Sequence, residues 1–266
     1  MNKPIGIIGY GYVGRAVERF FINHYPILIH DPPQGKDELS RINEESCCAV
    51  ICVSTPMLCD GAVDTSIIES VVSQLNPDLL IVIKSAIPPG TTRILEAKTG
   101  ARLVVSPEYI GEGGYPIPYW KDMPHATDMS LHSFHIFGGN PDATREAICV
   151  WKSVAGAHAR YIQTNSTTAE VVKYMENSWI GTKVTFCNEF YDISKAFGVD
   201  YNEVRELWLL DGRVGRSHTL VHEDKRGFNG KCVPKDTSGI LRACEAVGIN
   251  PRLLRAVLES NAERVK

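Results

Sequence analysis

A short apolar run, Ile5-Gly6-Ile7-Ile8, leads straight into Gly9-Tyr10-Gly11-Tyr12-Val13-Gly14, and a helical pattern of Ala16, Val17, Phe20 and Phe21 follows. Few sequence features constrain a fold as tightly as a strand, a turn of spaced glycines and a helix in that order. The first glycine permits the tight turn, the second lets a pyrophosphate approach the backbone, and the third lets helix and strand pack closely. Tyr12 and Val13 join Gly9, Gly11 and Gly14 as cofactor-binding positions. A second strand, Ile27 to His30, ends in Asp31. A carboxylate there can bond a ribose 2′-hydroxyl and repels a 2′-phosphate, so the expected cofactor is NAD rather than NADP.

The unit then repeats. Ala49 to Val53 is a strand ending in Ser54-Thr55-Pro56, Ile67 to Leu75 is helical, and Leu79 to Ile83 and Leu103 to Val105 are buried strands. Such alternation predicts a parallel doubly wound sheet, with ligands beyond the carboxyl ends of its strands. The loops there are Ser54-Thr55-Pro56, Lys84 to Thr92 with Ser85, and Ser106 to Gly113 with the carboxylates Glu108 and Glu112. Phe134 to Phe137 and Arg160 to Ile162 are further strands, with a helix from Asp142 to Val154 between them. Asn165-Ser166-Thr167-Thr168 caps an unusually long helix reaching about Phe197, with Glu170 placed for a capping box. The expected boundary lies at its start, giving a cofactor domain over residues 1–164 and a smaller all-helical domain over 165–266. Lys173 and Asn177, four apart, share one face of that helix.

A further helix spans about Tyr201 to Leu210 and ends in Asp211-Gly212-Arg213-Val214-Gly215. Nothing else in the chain is built like Gly227-Phe228-Asn229-Gly230-Lys231-Cys232-Val233-Pro234-Lys235-Asp236. Its glycines allow close backbone approach, and Pro234 and Asp236 mark the first turn of a helix to about Val247. Cys232 at a helix N-terminus, flanked by Lys231 and Lys235, is a candidate thiolate nucleophile. A buried structural cysteine is the alternative.

A chain of 266 residues, 44% of them hydrophobic, can bury a sizeable core. A net charge of −3 and no run of Lys and Arg argue against a nucleic-acid partner. Leu79 to Ile83 is too short to span a bilayer. Eight cysteines without a secretory leader point to reduced thiols in the cytoplasm. Cys47, Cys48, Cys52 and Cys59 lack paired CxxC spacing and are expected to pack rather than bind zinc. No metal is assigned to them or to His125, His132 and His135.

Together these motifs resemble the UDP-glucose/GDP-mannose dehydrogenase family of nucleotide-sugar dehydrogenases. The resemblance is carried by Gly9 to Gly14 with Asp31, Lys84 to Thr92, Pro107 to Gly113, Ala169 to Lys173 with Asn177, Asn188-Glu189, Asp211 to Gly215, and Gly227 to Asp236. It implies a Rossmann-type doubly wound sheet followed by a helical domain with one long helix. It also implies oxidation of a primary alcohol of a nucleotide sugar, UDP-sugars favoured, to a uronic acid with two NAD. Cys232 would trap the aldehyde as a thiohemiacetal and then hold a thioester. Lys173 and Asn177 would bind substrate and stabilise the oxyanion, and Asp236, through a water, and Glu108 would act as bases. Glu112 would lie by the nicotinamide, Arg213 and Gly230 would bind the sugar nucleotide, and a homodimer would form through the long helix.

The chain departs from the family pattern at Ala86, where a threonine hydroxyl is usual, and at Asn229, where glycine is usual. It also stops at Lys266, where the family continues into a third domain that grips the nucleotide. Two other readings remain open. One is a hydroxyacid dehydrogenase making a single oxidation with Lys173 and Asn177, which leaves Cys232 idle. The other is an NAD-binding subunit impaired in turnover.

Overall fold

The structure, a computed structural model, describes residues 2–110 and 128–265. Two compact units make up the chain, one of Met1–Pro56 and Asp64–Lys173, the other of Met57–Val63 and Tyr174–Lys266.

The first unit is built on one sheet of β1 (Ile5–Ile8), β2 (Ile27–Asp31), β3 (Lys36–Asp37), β4 (Cys48–Ile51), β5 (Leu80–Ile83), β6 (Arg102–Val105), β7 (Phe134–Gly139) and β8 (Arg160–Thr164). Its strand order is β3-β2-β1-β4-β5-β6-β7-β8. The middle strands β2, β1, β4, β5 and β6 are parallel, as alternation with helices requires. The flanks are mixed. Two-residue β3 returns antiparallel on β2 after the Pro32-Pro33-Gln34 turn, and β7 enters antiparallel to β6 with β8 parallel beside it.

Side chains alternate between two cores, as the period of a strand demands. Ile5, Ile7, Cys48, Val50, Leu80, Val82 and Val104 face α1 (Tyr12–Phe21) and α5 (Pro141–Ala155), where Phe20, Phe21 and Trp151 fill the layer. Ile8, Ala49, Ile51, Ile81, Ile83, Leu103 and Val105 face α2 (Leu39–Glu45), α3 (Ser66–Gln74) and α4 (Thr91–Thr99) through Ile42, Ile68, Val72 and Leu95. Each such aliphatic side chain, fully buried, contributes roughly 1.5–3 kcal/mol. Strand order reverses between β1 and β4, so the crevice between the ends of these strands is the ligand-binding place of this topology. Sequence periodicity did not reveal α2 and α4, because α2 buries only Ile42 and α4 only Thr92 and Leu95.

The helix α6 (Ser166–Ala196) begins in the first unit and continues into the second, which adds α7 (Tyr201–Trp208), α8 (Cys232–Ala246) and α9 (Arg252–Arg264). Asn165 caps α6 by accepting from Thr168 N at 2.8 Å. Glu170 does not complete the expected capping box. It is 2% exposed, and its carboxylate instead accepts from Gly90 N, Thr92 N (2.9 Å) and Thr92 Oγ1 (2.6 Å). It thereby supplies the cap that Gly90 cannot give α4. The face pattern of α6 is inverted in its second part. Asn177, Ser178, Lys183, Thr185 and Asn188 are buried, whereas Met175, Trp179, Phe186, Phe190 and Ile193 are exposed. Among the described residues, no helix is long and apolar enough to cross a membrane.

Candidate active site

The glycine turn is shaped by what a side chain would strike. Gly9 has φ +86°, and a Cβ there would lie 2.8 Å from backbone atoms of Cys52 and Val53. It therefore sits tight against the end of β4 at the switch point. A Cβ on Gly14 would lie 2.1 Å from the carbonyl oxygen of Gly9, whereas one on Gly11 would meet nothing within 4 Å. No side chain caps the N-terminus of α1, so its first N–H groups face that open space. This cradle fits a pyrophosphate. Asp31 Oδ2 accepts from Tyr10 N at 2.6 Å and Gln34 Nε2 at 3.0 Å, and Oδ1 accepts from Gln34 N at 3.2 Å. The carboxylate is thus held at the mouth of the turn with acceptor capacity left for ribose hydroxyls.

The loops after β4, β5 and β6 are locked to one another. Thr55 Oγ1 donates to Ala86 O at 2.9 Å, and Ser85 Oγ donates to Val53 O at 2.6 Å. Pro56 O accepts from Asp64 N at 2.8 Å, closing the neck of the 57–63 excursion. Beyond β6, Glu108 is 7% exposed and its Oε1 accepts from Tyr109 N and Ile110 N, each at 2.7 Å. Its backbone carbonyl accepts from Lys173 Nζ, whose ammonium also lies 5.5 Å from the Tyr109 ring centroid. Glu170 and Lys173, one turn apart on α6, therefore hold the loops after β5 and β6. Gly111, Glu112 and Gly113 lie outside the described residues.

In the second unit Cys232 is the first residue of α8 and is exposed, with Lys231 at the N-cap. One turn on, Asp236 is 1% exposed; its Oδ2 accepts from Asn177 Nδ2 and its Oδ1 pairs with Lys235 Nζ at 2.5 Å. Lys235 therefore anchors Asp236 from the adjacent position on α8. The preceding loop is fixed by side chains. Asn261 of α9 accepts from Phe228 N at 2.7 Å and donates to Phe228 O at 2.9 Å, and Arg226 donates to Asn188 Oδ1 at 2.6 Å. Gly227 carries the left-handed backbone at φ +70°, and a Cβ there would lie 2.5 Å from Asn261 Oδ1. Asn229 is not left-handed, so asparagine is tolerated there for lack of any such demand. Gly230 is exposed and open around its Cα. Arg213 is 90% exposed and tied back to Asp211 at 2.5 Å, and Lys183 donates to Gly215 O in the same loop.

The expected residues thus form two groups. Glu108 and Lys173 belong to the first unit; Cys232, Asn177, Asp236, Arg213 and Gly230 belong to the second. Of the cysteines set apart from metal binding, Cys48 is buried in β4, Cys47 and Cys52 are partly buried, and Cys59 is exposed. Sequence reasoning missed Lys84, Ser106 and Asn261. Lys84 is 4% exposed at the carboxyl end of β5 and donates to Ser106 Oγ at 3.3 Å. Its signal was a lysine directly after a buried apolar strand, where only a partnered charge can stay.

The NAD-binding domain of the UDP-glucose/GDP-mannose dehydrogenase family matches residues 34–117, and the family's central domain matches residues 167–263. The chain belongs to this family. UDP-glucose 6-dehydrogenase of Rickettsia prowazekii is 29% identical over 204 residues, covering 74% of this chain and 44% of that one. UDP-glucose 6-dehydrogenase of Bacillus subtilis is 28% identical, covering 80% and 46%. Among solved structures, a UDP-glucose dehydrogenase from Pyrobaculum islandicum superposes with TM-score 0.80 at 25% identity, covering 99% of this chain and 68% of that one. The chain therefore spans under half the length of these two curated relatives. The family's cofactor is NAD, which the cradle and Asp31 fit.

Proposed function

We propose that this chain oxidises the primary alcohol of a nucleotide sugar, a UDP-sugar by preference, to the uronic acid, supplying acidic sugars for polysaccharide synthesis. The observation that carries this is the start of α8, where an exposed thiol at a helix N-terminus stands one turn from Asp236, itself bonded to Asn177. NAD, when bound, supplies the hydride acceptor for both oxidations. Lys173 and Asn177 steady the alcohol oxygen and its developing negative charge, and Lys173 handles the first proton. Cys232 Sγ bonds to the aldehyde carbon, because the acid level is reached only through a tetrahedral adduct, and then carries the acyl group as a thioester. Asp236 assists through a water, and Glu108 serves as base when water releases the acid. Glu112 is assigned to the nicotinamide side, and Arg213 and Gly230 to the sugar nucleotide.

The functional division on this reading is residues 1–164 for the cofactor and 165–266 for the nucleophile. The exposed apolar face of α6 supports a homodimer through that helix, because burying Trp179, Phe186 and Phe190 against a second copy removes apolar surface from water. A cytoplasmic setting keeps the thiol reduced.

The test is NADH formation with UDP-glucose, UDP-N-acetylmannosamine and GDP-mannose. Two NADH per sugar are expected from the wild type and none from Cys232→Ser, with NAD binding kept. One NADH per substrate in both proteins would replace this reading with a single-oxidation hydroxyacid dehydrogenase. NAD binding without NADH from any sugar nucleotide would make the chain a binding subunit.

A further inference from the structure

Glu108 Oε1 is satisfied by two backbone donors, but Oε2 is buried and has no hydrogen-bond partner among the described residues. Lys84 Nζ lies 3.7 Å from Oε2, with the Glu108 and Lys84 side chains 8% and 3% exposed. That separation is too long for a direct hydrogen bond and suits one bridging water. A buried carboxylate oxygen without a donor is destabilising, and a buried ammonium has donors beyond the one that reaches Ser106 Oγ. One water satisfies both. It accepts from Nζ and donates to Oε2, which leaves its second lone pair unshared.

We propose that Lys84 and Glu108 together hold the water that releases the acyl group, which makes Lys84 a catalytic residue of the hydrolytic step. The proposal rests on the dehydrogenase reading above. The water oxygen bonds to the acyl carbon while its proton passes to Glu108 Oε2. The C–S bond breaks with its electron pair going to Cys232 Sγ, which takes up a proton. One water is consumed, and acid and thiol are returned. Thr55 fixes the Ala86 carbonyl and Ala86 has no hydroxyl, so the loop after β5 offers this water the Lys84 ammonium.

Among the described residues, the groups around the pair come from several elements. Ser106 follows β6, Lys173 of α6 holds the Glu108 carbonyl, and the Trp151 ring of α5 lies 5.8 Å from Lys84 Nζ. Cys52 follows β4; burial raises its thiol, the charge of Glu108 adds to the rise and Lys84 opposes it. His135 of β7 is pushed down to about 3, by burial first and then by Lys84, His132 and His158. It stays neutral at working pH and adds no positive charge beside the pair.

A crystal structure of the wild-type chain decides the water without turnover. An ordered water within about 3.2 Å of both Nζ and Oε2 is expected; a direct contact between these atoms with no water overturns the proposal. The second test is rapid quench of Lys84→Met with NAD and UDP-glucose, followed by mass analysis of Cys232. The acyl-enzyme should accumulate, with the ratio of hydrolysis to first hydride transfer falling on the order of 10²-fold. An unchanged ratio overturns the proposal. If neither protein gives NADH from any sugar nucleotide, the dehydrogenase reading falls, and with it the role of the water, even where the crystal shows it in place.

Discussion

The turn of Gly9 to Gly14 and the loop of Gly227 to Cys232 both lead into a helix, α1 and α8, and they do so by opposite means. The first is shaped by missing side chains. Gly9 fits against β4, Gly14 fits under the Gly9 carbonyl, and Gly11 leaves space in front of an uncapped helix. The second is shaped by side chains from far along the sequence. Asn261 grips both backbone groups of Phe228, Asn188 receives Arg226, and Asp236 is fastened by Asn177 and Lys235. A turn built of absences depends on backbone packed closely against backbone. A loop built of distant polar contacts holds only while its neighbours do.

The sharpest break in this comparison is Gly14→Ala. The new methyl would sit 2.1 Å from a backbone oxygen, so the turn itself must move rather than a flexible side chain. Overpacking of this kind costs roughly 1–3 kcal/mol, and lost from the bound geometry that is up to about 10²-fold in NAD affinity. Calorimetric titration should show that fall together with a lower melting temperature. Affinity within a factor of two of wild type would mean that the turn is not set by steric exclusion.

The same contrast explains what was legible in the sequence. Demands on the backbone are local, so three glycines, a strand and Asp31 pointed to a cofactor cradle, and the alternation of short apolar strands with helices pointed to the sheet. Demands met by polar pairs are not local. Glu170 had the spacing of a capping box, yet it caps α4 instead, because Thr92 and Gly90 offer buried donors that only the tertiary fold brings near. Asn261 stood in a polar stretch of a terminal helix and carried no signal of its bond to Phe228. Asn229, which looked like a loss because the family has glycine there, lies at a position with no left-handed requirement; Gly227 is where that requirement falls.

Asn261→Ala probes the second loop by removing the grip while leaving the first unit untouched. Two buried backbone groups of Phe228 would lose their partners, at about 1–3 kcal/mol each, so a stability loss of roughly 2–6 kcal/mol is expected in urea denaturation. NAD affinity should stay within twofold of wild type, and alkylation of Cys232 by iodoacetamide should change, since the loop ahead of α8 is loosened. A stability change under about 0.5 kcal/mol would show that water replaces Asn261 without cost.

Gly11→Ala gives the smallest effect on folding and isolates the first loop's function from its structure. The backbone at Gly11 has φ −79° and ψ −151°, an extended conformation outside the left-handed region, and a methyl there meets nothing within 4 Å. Stiffening the unfolded chain stabilises by about 0.4–1 kcal/mol, and the poorer N-cap that alanine makes offsets a similar amount, so the net change should lie within about 0.5 kcal/mol. The methyl would nevertheless project into the space before the first N–H groups of α1, where a bound pyrophosphate would sit. NAD affinity should therefore fall about tenfold or more with melting temperature unchanged. That dissociation separates a glycine required by the fold from one required by the ligand. Equal affinity in Gly11→Ala would mean that the pyrophosphate does not approach this backbone, and would reduce the turn to a packing device like the contact of Gly14 with Gly9.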